Sequence, residues 1–244
     1  NLSTGEMNIP SLPGPWRLDV KHCFIFPFLS TPRKVEKLLR VPRDRQDNIS
    51  GIGMAMFIKY SSSPAGAYDE LIYGMPFSSP TLPSWRLFSP RRLPVIYVSG
   101  ESTLRNGREN WGIRKELGDF YWTTSEGYFV TTTTFIARDR LSGKLITSAS
   151  FATLNIPFIL PLNWFGSLSP PIVERKIDVD GKDLEEGWLQ VVLGGFGWAR
   201  FSMVTRYQLC DEEAIAPSLF NLGAFVGLSY TGHFIFPKGL AISN

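Results

Sequence analysis

The sequence predicts a mainly β fold (α+β class) of antiparallel strands with a few short helices, and three observations carry this prediction. Strand-like segments follow one another at short intervals through the 244 residues, with few helical patterns between them. The threonine-rich segment Phe129–Asp139 favours a strand. The turn residues Leu141-Ser142-Gly143 connect it to a second strand-like segment, Lys144–Leu154, as in a β-hairpin. Strands at this density favour a barrel or a sandwich.

The N-terminal half is predicted to contain an arm, four strands and a helix. Residues 1–15 are rich in Pro, Gly and Ser and are expected to form an extended arm. Pro32 is expected to open a short helix, Arg33–Arg40, with apolar residues along one face. Strands are predicted over Trp16–Leu29, where Pro27 indicates an edge or a bulge, and over Gly51–Tyr60, Leu71–Phe77 and Leu93–Ser99.

In the C-terminal half, the apolar and Pro-interrupted segment Ile156–Pro171 is expected to be a lid or a loop packed over the core. A helix is expected within Asp211–Gly227. Strands are predicted over Asp119–Thr124, Gly127–Ala137, Leu189–Leu193, Arg200–Leu209 and, as a last strand, within Leu228–Ile242. The whole chain, 1–244, is interpreted as a single domain.

Composition excludes several classes of function. Hydrophobic residues make up 43% and charged residues 19%, which indicates a packed globular protein. The net charge is only +3, and the basic cluster Arg33–Arg45 is interpreted as a solvated helix face, so no nucleic-acid partner is expected. Cys23 and Cys210 do not make a disulfide framework, which fits a reducing, cytoplasmic location. No uninterrupted apolar run is long enough to predict a membrane span.

Motifs for metal and cofactor binding are missing. The chain has two histidines, His22 and His233, whereas a zinc site needs three or four ligands. The Gly194-Gly195-Phe196-Gly197 run lacks the remaining residues and the β-α-β context of a phosphate-binding loop, and a strand bulge or kink explains it better. We therefore expect neither a metal nor a cofactor.

The candidate for chemistry is Lys115. A lysine amine is a nucleophile only when neutral, and with a reference pKa near 10.4 only ~0.04% of free lysine is neutral at pH 7. The neighbouring Arg114 cation and the apolar Trp111 and Ile113 favour the neutral amine, whereas Glu116 favours the protonated one. The alternative interpretation is an ordinary solvated surface lysine beside a glutamate.

Three segments around Lys115 carry a family resemblance. Gly107-Arg108-Glu109 is followed by Gly112-Ile113-Arg114-Lys115-Glu116-Leu117-Gly118. Gly53-Met54-Ala55-Met56 and Tyr68-Asp69-Glu70-Leu71-Ile72 precede them, and Tyr97 lies on the strand that enters the lysine segment. Over residues 50–125 the chain resembles the acetoacetate decarboxylase superfamily, and the segment Asn106–Trp111 is most similar to its divergent fungal members.

The resemblance implies a cone-shaped, mostly antiparallel β-barrel with a hydrophobic pocket, and assembly as a homo-oligomer. It implies a lysine that forms a Schiff base with a β-keto acid; acetoacetate decarboxylase itself is the standard illustration of a lysine activated by its surroundings. Carried onto this sequence, Lys115 is the amine and Glu70 the pocket carboxylate that handles protons. Arg108 and Glu109 match the family's Arg-Glu pair, which is either functional or a structural salt bridge.

Three departures from the family pattern bear on the substrate. Glu116 stands where the family has a second lysine, Arg114 replaces a proline, and the family's second glutamate aligns near Ile52 and is absent. A larger apolar substrate, a hydrophobic β-keto or unsaturated carbonyl compound, therefore fits better than acetoacetate. The predicted catalytic residues are Lys115, Glu70, Arg114 and Glu116, and the predicted substrate-binding residues are Trp111, Met54, Tyr68, Tyr97, Ile113 and Arg108.

Two alternatives to Schiff-base chemistry stay open. In the first, the pocket belongs to a non-covalent cyclase or isomerase of secondary metabolism, in which Lys115 or Arg114 polarises a carbonyl by hydrogen bonding. In the second, the protein is a non-catalytic carrier of hydrophobic ligands, and Lys115 is a buried ion-pair partner of Glu116 or Glu70.

Overall fold

The structure, a computed structural model, describes residues 9–31, 51–76, 91–161, 172–177, 183–207 and 222–242. These residues form thirteen strands and one helix. In chain order they are β1 (Trp16–Ser30), β2 (Gly51–Ser62), β3 (Tyr68–Pro76), β4 (Arg91–Val98), α1 (Glu101–Trp111), β5 (Glu116–Glu126), β6 (Val130–Asp139), β7 (Leu145–Leu154), β8 (Phe158–Pro161), β9 (Ile172–Ile177), β10 (Asp183–Val191), β11 (Gly194–Tyr207), β12 (Val226–Phe236) and β13 (Leu240–Ile242).

Nine of the strands close into a barrel. Their order is β4-β3-β2-β1-β12-β11-β7-β6-β5, and a parallel pairing between β5 and β4 closes the ring. The closure is short, because only Tyr97 and Val98 of β4 are paired with β5, at Glu116 and Leu117. The remaining pairings around the ring are antiparallel. The closure removes the sheet edge of β4 and β5 only at these two positions on each strand.

Strand β4 is also the branch point of the sheet. At its other end, Arg91 pairs in parallel with Ile172 of β9, and the sheet continues from β9 to β10 and β13. The sheet therefore continues beyond the point where the ring closes. Ile172 of β9 and Val191 of β10, in this extension, are buried in the same apolar cluster as residues on one face of the barrel strands.

Apolar residues fill both faces of the barrel strands. The first core is aromatic and joins strands from opposite sides of the ring: Phe151 of β7 stacks on Phe24 and Phe26 of β1, and Phe135 of β6 packs on Phe57 of β2. The second core lies on the other face and includes Met56 and Ile58 of β2, Ile72 of β3, and Trp111 of α1. Because side chains alternate along a strand, β2 supplies Phe57 to the first core and its two neighbours to the second.

Helix α1 is held against the second core by the N-terminal arm. The Asn106 side chain is fully buried, accepts a hydrogen bond from the Leu12 N–H at 2.6 Å and donates to the Pro10 carbonyl at 3.2 Å. Asn110 donates to the Leu12 carbonyl at 2.7 Å, and the Trp16 indole donates to that same carbonyl at 2.9 Å. These contacts fix the helix that precedes Lys115.

The mainly β prediction is confirmed, and most strands fall where the sequence predicted them. Pro27 lies beyond the last β1–β12 pair, at Ile25, so its missing N–H interrupts no bond to β12. Two expectations were wrong: residues 101–111, where no helix was predicted, form one, and Phe158–Pro161, expected in a lid or loop, forms a strand that pairs with β11. The strand expected within Leu228–Ile242 is present, and the tail contains the short β13 as well.

Two predicted helices concern residues that the structure describes little or not at all. The helix Arg33–Arg40 lies outside the described residues. Of Asp211–Gly227, the structure describes only the end, where Val226 already begins β12. In the described parts of the chain, no helix has the length and apolar character needed to cross a membrane. The same residues contain no group of three or more His, Cys, Asp or Glu side chains placed to hold a metal ion.

Candidate active site

Lys115 is positioned by the way α1 ends. The helix stops at Gly112, which adopts the left-handed conformation (φ 65°) that glycine tolerates best. The N–H groups of Gly112 and Ile113 turn back to the carbonyls of Arg108 and Gly107, at 3.0 and 3.3 Å. The chain therefore reverses and runs back over the last turns of α1 before it enters β5. This reversal brings Lys115 next to the helix residue Gly107.

Gly107 leaves the space that the Lys115 side chain occupies. A methyl group at Gly107 would lie 2.6 Å from Cε and 2.9 Å from Cδ of Lys115, closer than atoms of real side chains approach. The adjacent Arg108 donates from Nη2 to the Lys115 carbonyl at 3.0 Å, which fixes the backbone of the same residue. Gly107 thus leaves room for the lysine side chain, and Arg108 fixes the lysine main chain.

The Lys115 amine meets a carboxylate inside the protein. Nζ donates to Oε1 of Glu70, on β3, at 2.7 Å, and the side chains of the two residues are only 6% and 3% exposed. Oε2 of Glu70 accepts a second hydrogen bond, from the Tyr60 hydroxyl of β2, at 3.1 Å. The Tyr68 ring lies 5.7 Å from Nζ and packs on the Tyr60 ring, with 4.5 Å between centroids. Glu70 therefore bridges a lysine and a tyrosine.

This cluster opens into a cavity that is otherwise apolar. Among the described residues that line it, three carry polar groups: Lys115, Glu70 and Tyr60. The other lining residues are Met54, Met56, Ile58, Ile72, Leu93, Ile96, Ile113, Ile172, Leu193, Phe234 and Phe236. The cavity has about 20 Å³ for the centre of a water-sized molecule, within about 390 Å³ of empty space counted out to its mouth. A water molecule needs roughly 10–15 Å³ by the first measure, so the cavity in this structure has room for one or two waters.

Burial and the Glu70 charge act together on the groups around this cavity. Burial, followed by the repulsion from Glu70, raises the pKa of the Tyr60 and Tyr68 hydroxyls well above their usual range. The same two causes raise the pKa of the fully buried Cys23 thiol. These three groups therefore stay uncharged at neutral pH. They can donate hydrogen bonds, but they add no negative charge beside the carboxylate.

Glu116 and Tyr97 lie on the opposite face of the strands from Lys115. Glu116 is exposed and hydrogen-bonds the Tyr97 hydroxyl, and Tyr97 belongs to the aromatic first core. Burial and then Glu116 raise the pKa of Tyr97. Arg114 is partly buried and does not line the cavity. Successive side chains of the extended segment 113–116 alternate in direction, which separates Glu116 and Arg114 from the amine.

The structure therefore brings together some of the predicted site residues and separates others. Glu70, Tyr68, Met54 and Ile113 surround Lys115 or line its cavity. Trp111 does not line the cavity: its ring packs edge-on against Trp16 at 5.1 Å, and its indole donates to the Pro237 carbonyl at 2.8 Å. Arg108 supports the Lys115 backbone, and Glu109 pairs with Arg105 at 3.0 Å.

Sequence reasoning missed two residues of the site. Tyr60 follows Met54, Met56 and Ile58 at intervals of two along β2, so the period of a strand places it on the face that lines the cavity. Gly107 belongs to the motif seen in the sequence, but the sequence does not show that it leaves room for the Lys115 side chain. The buried residues of α1, Thr103, Asn106, Gly107 and Trp111, have helical spacing, but only one of them is a large apolar residue, so the sequence shows no apolar helical period there.

The fold is that of acetoacetate decarboxylase, and the resemblance drawn from the Lys115 segment is confirmed at this level. The acetoacetate decarboxylase from Legionella pneumophila superimposes with a TM-score of 0.66 and 19% identity, covering 98% of this chain and 93% of that one. A second acetoacetate decarboxylase gives a TM-score of 0.63 and 19% identity, with coverage of 100% and 95%. At such identities the likeness establishes the fold but not the reaction.

A third structure with this fold is a different enzyme. The enduracididine biosynthesis enzyme MppR, complexed with the condensation product of pyruvate and imidazole 4-carboxaldehyde, superimposes with a TM-score of 0.57 and 13% identity over 98% of this chain and 93% of that one. No family model matches the sequence, and the search of curated proteins found no match.

Proposed function

We propose that the protein is an enzyme that binds a hydrophobic β-keto or unsaturated carbonyl compound as a Schiff base on Lys115 and cleaves or rearranges it. The observation that carries the proposal is the buried Lys115 amine in an apolar cavity, 2.7 Å from the Glu70 carboxylate. A buried amine and acid in hydrogen-bond contact form the pairing of nucleophile and base that covalent catalysis requires.

Glu70 supports the proposal because it can take the proton that the amine must lose. The Lys115–Glu70 hydrogen bond is short enough for direct proton transfer from Nζ to Oε1. In an apolar cavity the transfer replaces a buried ion pair by a neutral amine and a neutral acid, which burial favours relative to water. The neutral amine then attacks the substrate's carbonyl carbon, the N–C bond forms, and the proton held by Glu70 leaves with the carbonyl oxygen as water to give the iminium.

For a β-keto acid, the iminium accepts the electron pair of the bond that breaks. The bond between the α-carbon and the carboxyl carbon cleaves, carbon dioxide leaves, and the electron pair moves through the resulting enamine toward the nitrogen. A proton from solvent, delivered through Glu70, then adds to the α-carbon, and water releases a methyl ketone and regenerates the lysine. The apolar lining fits the alkyl part of such a substrate, because only Lys115, Glu70 and Tyr60 offer polar contacts among the described lining residues.

Trapping the intermediate tests the proposal. Borohydride added to the protein with β-ketooctanoate is expected to fix the substrate to Lys115, as identified by peptide mass spectrometry. Lys115→Met should abolish the adduct, whereas the matched substitution of an exposed lysine, Lys144→Met, should leave it unchanged. Glu70→Gln should slow methyl ketone release by about a hundredfold or more, the usual contribution of a positioned acid or base. A wild-type protein that yields no Lys115 adduct would refute the covalent route.

A carrier of hydrophobic ligands is the second candidate, and the ion pair itself favours it. The Lys115 amine is already satisfied by Glu70 at 2.7 Å, as in a structural pair that needs no substrate. Saturable binding of an apolar ketone without turnover or adduct would support the carrier. Turnover that survives Lys115→Met would instead indicate a non-covalent cyclase or isomerase.

A further inference from the structure

The two oxygens of Glu70 have different partners. Oε1 accepts from the Lys115 amine at 2.7 Å, and Oε2 accepts from the Tyr60 hydroxyl at 3.1 Å. Tyr60 is 2% exposed, and its ring is packed between Tyr68, at 4.5 Å, and Phe234, at 6.4 Å, measured between centroids. The packing of the ring thus fixes the position of the hydroxyl oxygen. Its bond to Glu70 does not depend on the presence of a substrate.

We infer that Tyr60 is a positioning residue of the Schiff-base reaction, because its hydroxyl holds Oε2 and leaves Oε1 to exchange protons with Lys115 and the substrate. The inference rests on the proposed function and adds a role for a residue outside the lysine motif. A carboxylic acid carries its proton on one oxygen. Since Tyr60 donates to Oε2, the proton that Glu70 takes up is placed on Oε1, which faces the amine.

Tyr60 also stabilises the Glu70 carboxylate at the stage of the reaction when the Lys115 nitrogen carries no charge. At the enamine stage, after the proton of Glu70 has left with water and the Lys115 nitrogen is neutral, Glu70 is a buried carboxylate without a cation beside it, which is costly. A hydrogen bond from a neutral hydroxyl to a charged oxygen offsets part of that cost at every stage. Burial raises the pKa of Tyr60 well above its usual range, so the hydroxyl remains a donor across the working pH range.

The charged and titratable groups around Glu70 determine how a pH experiment is interpreted. Lys115 and Tyr60 bond to Glu70, and Tyr68 and Cys23 also feel its charge. Tyr68 and Cys23 both have raised pKa values and stay neutral on the acid side. The Tyr60 hydroxyl donates to the charged form of Glu70 and so favours that form over the neutral acid. Its removal is therefore expected to move the acid-side loss of reactivity to higher pH.

The test uses hexanoylacetone, a β-diketone with an alkyl tail that gives a stable enaminone, detected by its near-ultraviolet absorbance, with a primary amine as water leaves. Tyr60→Phe keeps the ring and removes the hydroxyl. We expect the rate of enaminone formation at neutral pH to fall about tenfold, and its acid-side midpoint to rise by about one pH unit, as for a lost hydrogen bond to a charged group. Tyr230→Phe is the matched control, because its buried hydroxyl donates to the His233 carbonyl at 3.0 Å and not to Glu70.

A double-mutant cycle separates positioning from a general loss of structure. In the Glu70→Gln background, adding Tyr60→Phe should change the rate little, since the charged acceptor is gone. An acid-side midpoint that is unchanged by Tyr60→Phe, or an equal loss in both backgrounds, would overturn the role of Tyr60 and leave the Schiff-base proposal intact. A wild-type protein that forms no enaminone would overturn both.

Discussion

At the scale of single residues, the path of the Lys115 side chain depends on the absence of a side chain at Gly107. Ala at this position would place its methyl group 2.6 Å from Cε of Lys115, and the lysine is flexible enough to move away. Alanine also favours a helix over glycine by about 1 kcal/mol. This gain offsets only part of the cost of separating the buried Lys115–Glu70 pair. We therefore expect Gly107→Ala to lower the free energy of unfolding and to lower the rate of adduct formation by about tenfold or more, because the amine is displaced from Glu70.

Gly100, at the N-terminus of the same helix, is the control for this prediction. Its backbone is extended (φ −116°), and an added methyl group would meet only ordinary contacts, the nearest at 3.5 Å to Thr103. Gly100→Ala should leave adduct formation unchanged. Chemical denaturation and the enaminone assay, run on both variants, give the two quantities needed. Equal adduct rates for Gly107→Ala and the wild type would show that the lysine does not need this path.

At the scale of elements, α1 is stabilised by its contact with the arm more than by its own sequence. Its interior contains Gly107 and the weak helix formers Asn106 and Asn110, yet both asparagines bind the arm at Leu12. The helix in turn supports Lys115 through Gly107 and Arg108. The arm is thus connected to the candidate site through one helix, although no arm residue is among the described residues that line the cavity.

This arrangement predicts unequal effects for the two asparagines. Asn106→Ala removes the partners of the Leu12 N–H and the Pro10 carbonyl and should lower the free energy of unfolding by about 2–3 kcal/mol, as buried groups lose their hydrogen bonds. Asn110→Ala removes one bond, to the Leu12 carbonyl, and should cost less. Urea denaturation and limited proteolysis of the arm measure the difference. Equal losses would argue against Asn106 as the main attachment of the arm.

At the scale of the whole molecule, the closed sheet has the tightly packed aromatic core on one face and the candidate site on the other. The aromatic first core lies on one face of β2 and β3, and the cavity with Lys115 lies on the other. Strand alternation sends Leu71 into the first core and its neighbours Glu70 and Ile72 toward the cavity. A substitution in the first core should therefore affect folding more than the reaction.

Phe151 provides the test of that separation. Its ring is fully buried and lies 4.5–5.1 Å from the rings of Phe24, Phe26 and Phe57. Phe151→Ala should lower the free energy of unfolding by about 3–5 kcal/mol, the usual cost of removing a buried phenylalanine. The exposed Phe129, substituted in the same way, should change stability by about 0.5 kcal/mol or less. At temperatures where Phe151→Ala remains folded, it should form the adduct at the wild-type rate; a selective loss would contradict the separation.

Much of the fold was accessible from local sequence, since period-two patterns and turn residues act within one or two neighbouring strands. The β6–β7 hairpin and the strands around Met54 and Tyr97 were predicted for this reason. Helix α1 was missed because its buried positions are mostly polar or glycine, and their burial depends on the arm, which is 94 residues away from Asn106 at Leu12. Long-range partners of this kind leave little local signal.

For the candidate site, the sequence by itself pointed to Lys115 and Glu70 through the resemblance of their segments to the family motif, since motif and residue type are local properties. Only the tertiary structure decided which neighbours act on them. Glu116, adjacent in sequence, faces the other side of its strand and bonds Tyr97, whereas Tyr60, 55 positions before Lys115 in this numbering, donates to Glu70. The physical reason is that strand register and the turn at Gly112 set the direction of each side chain, and pairing between distant segments fixes both.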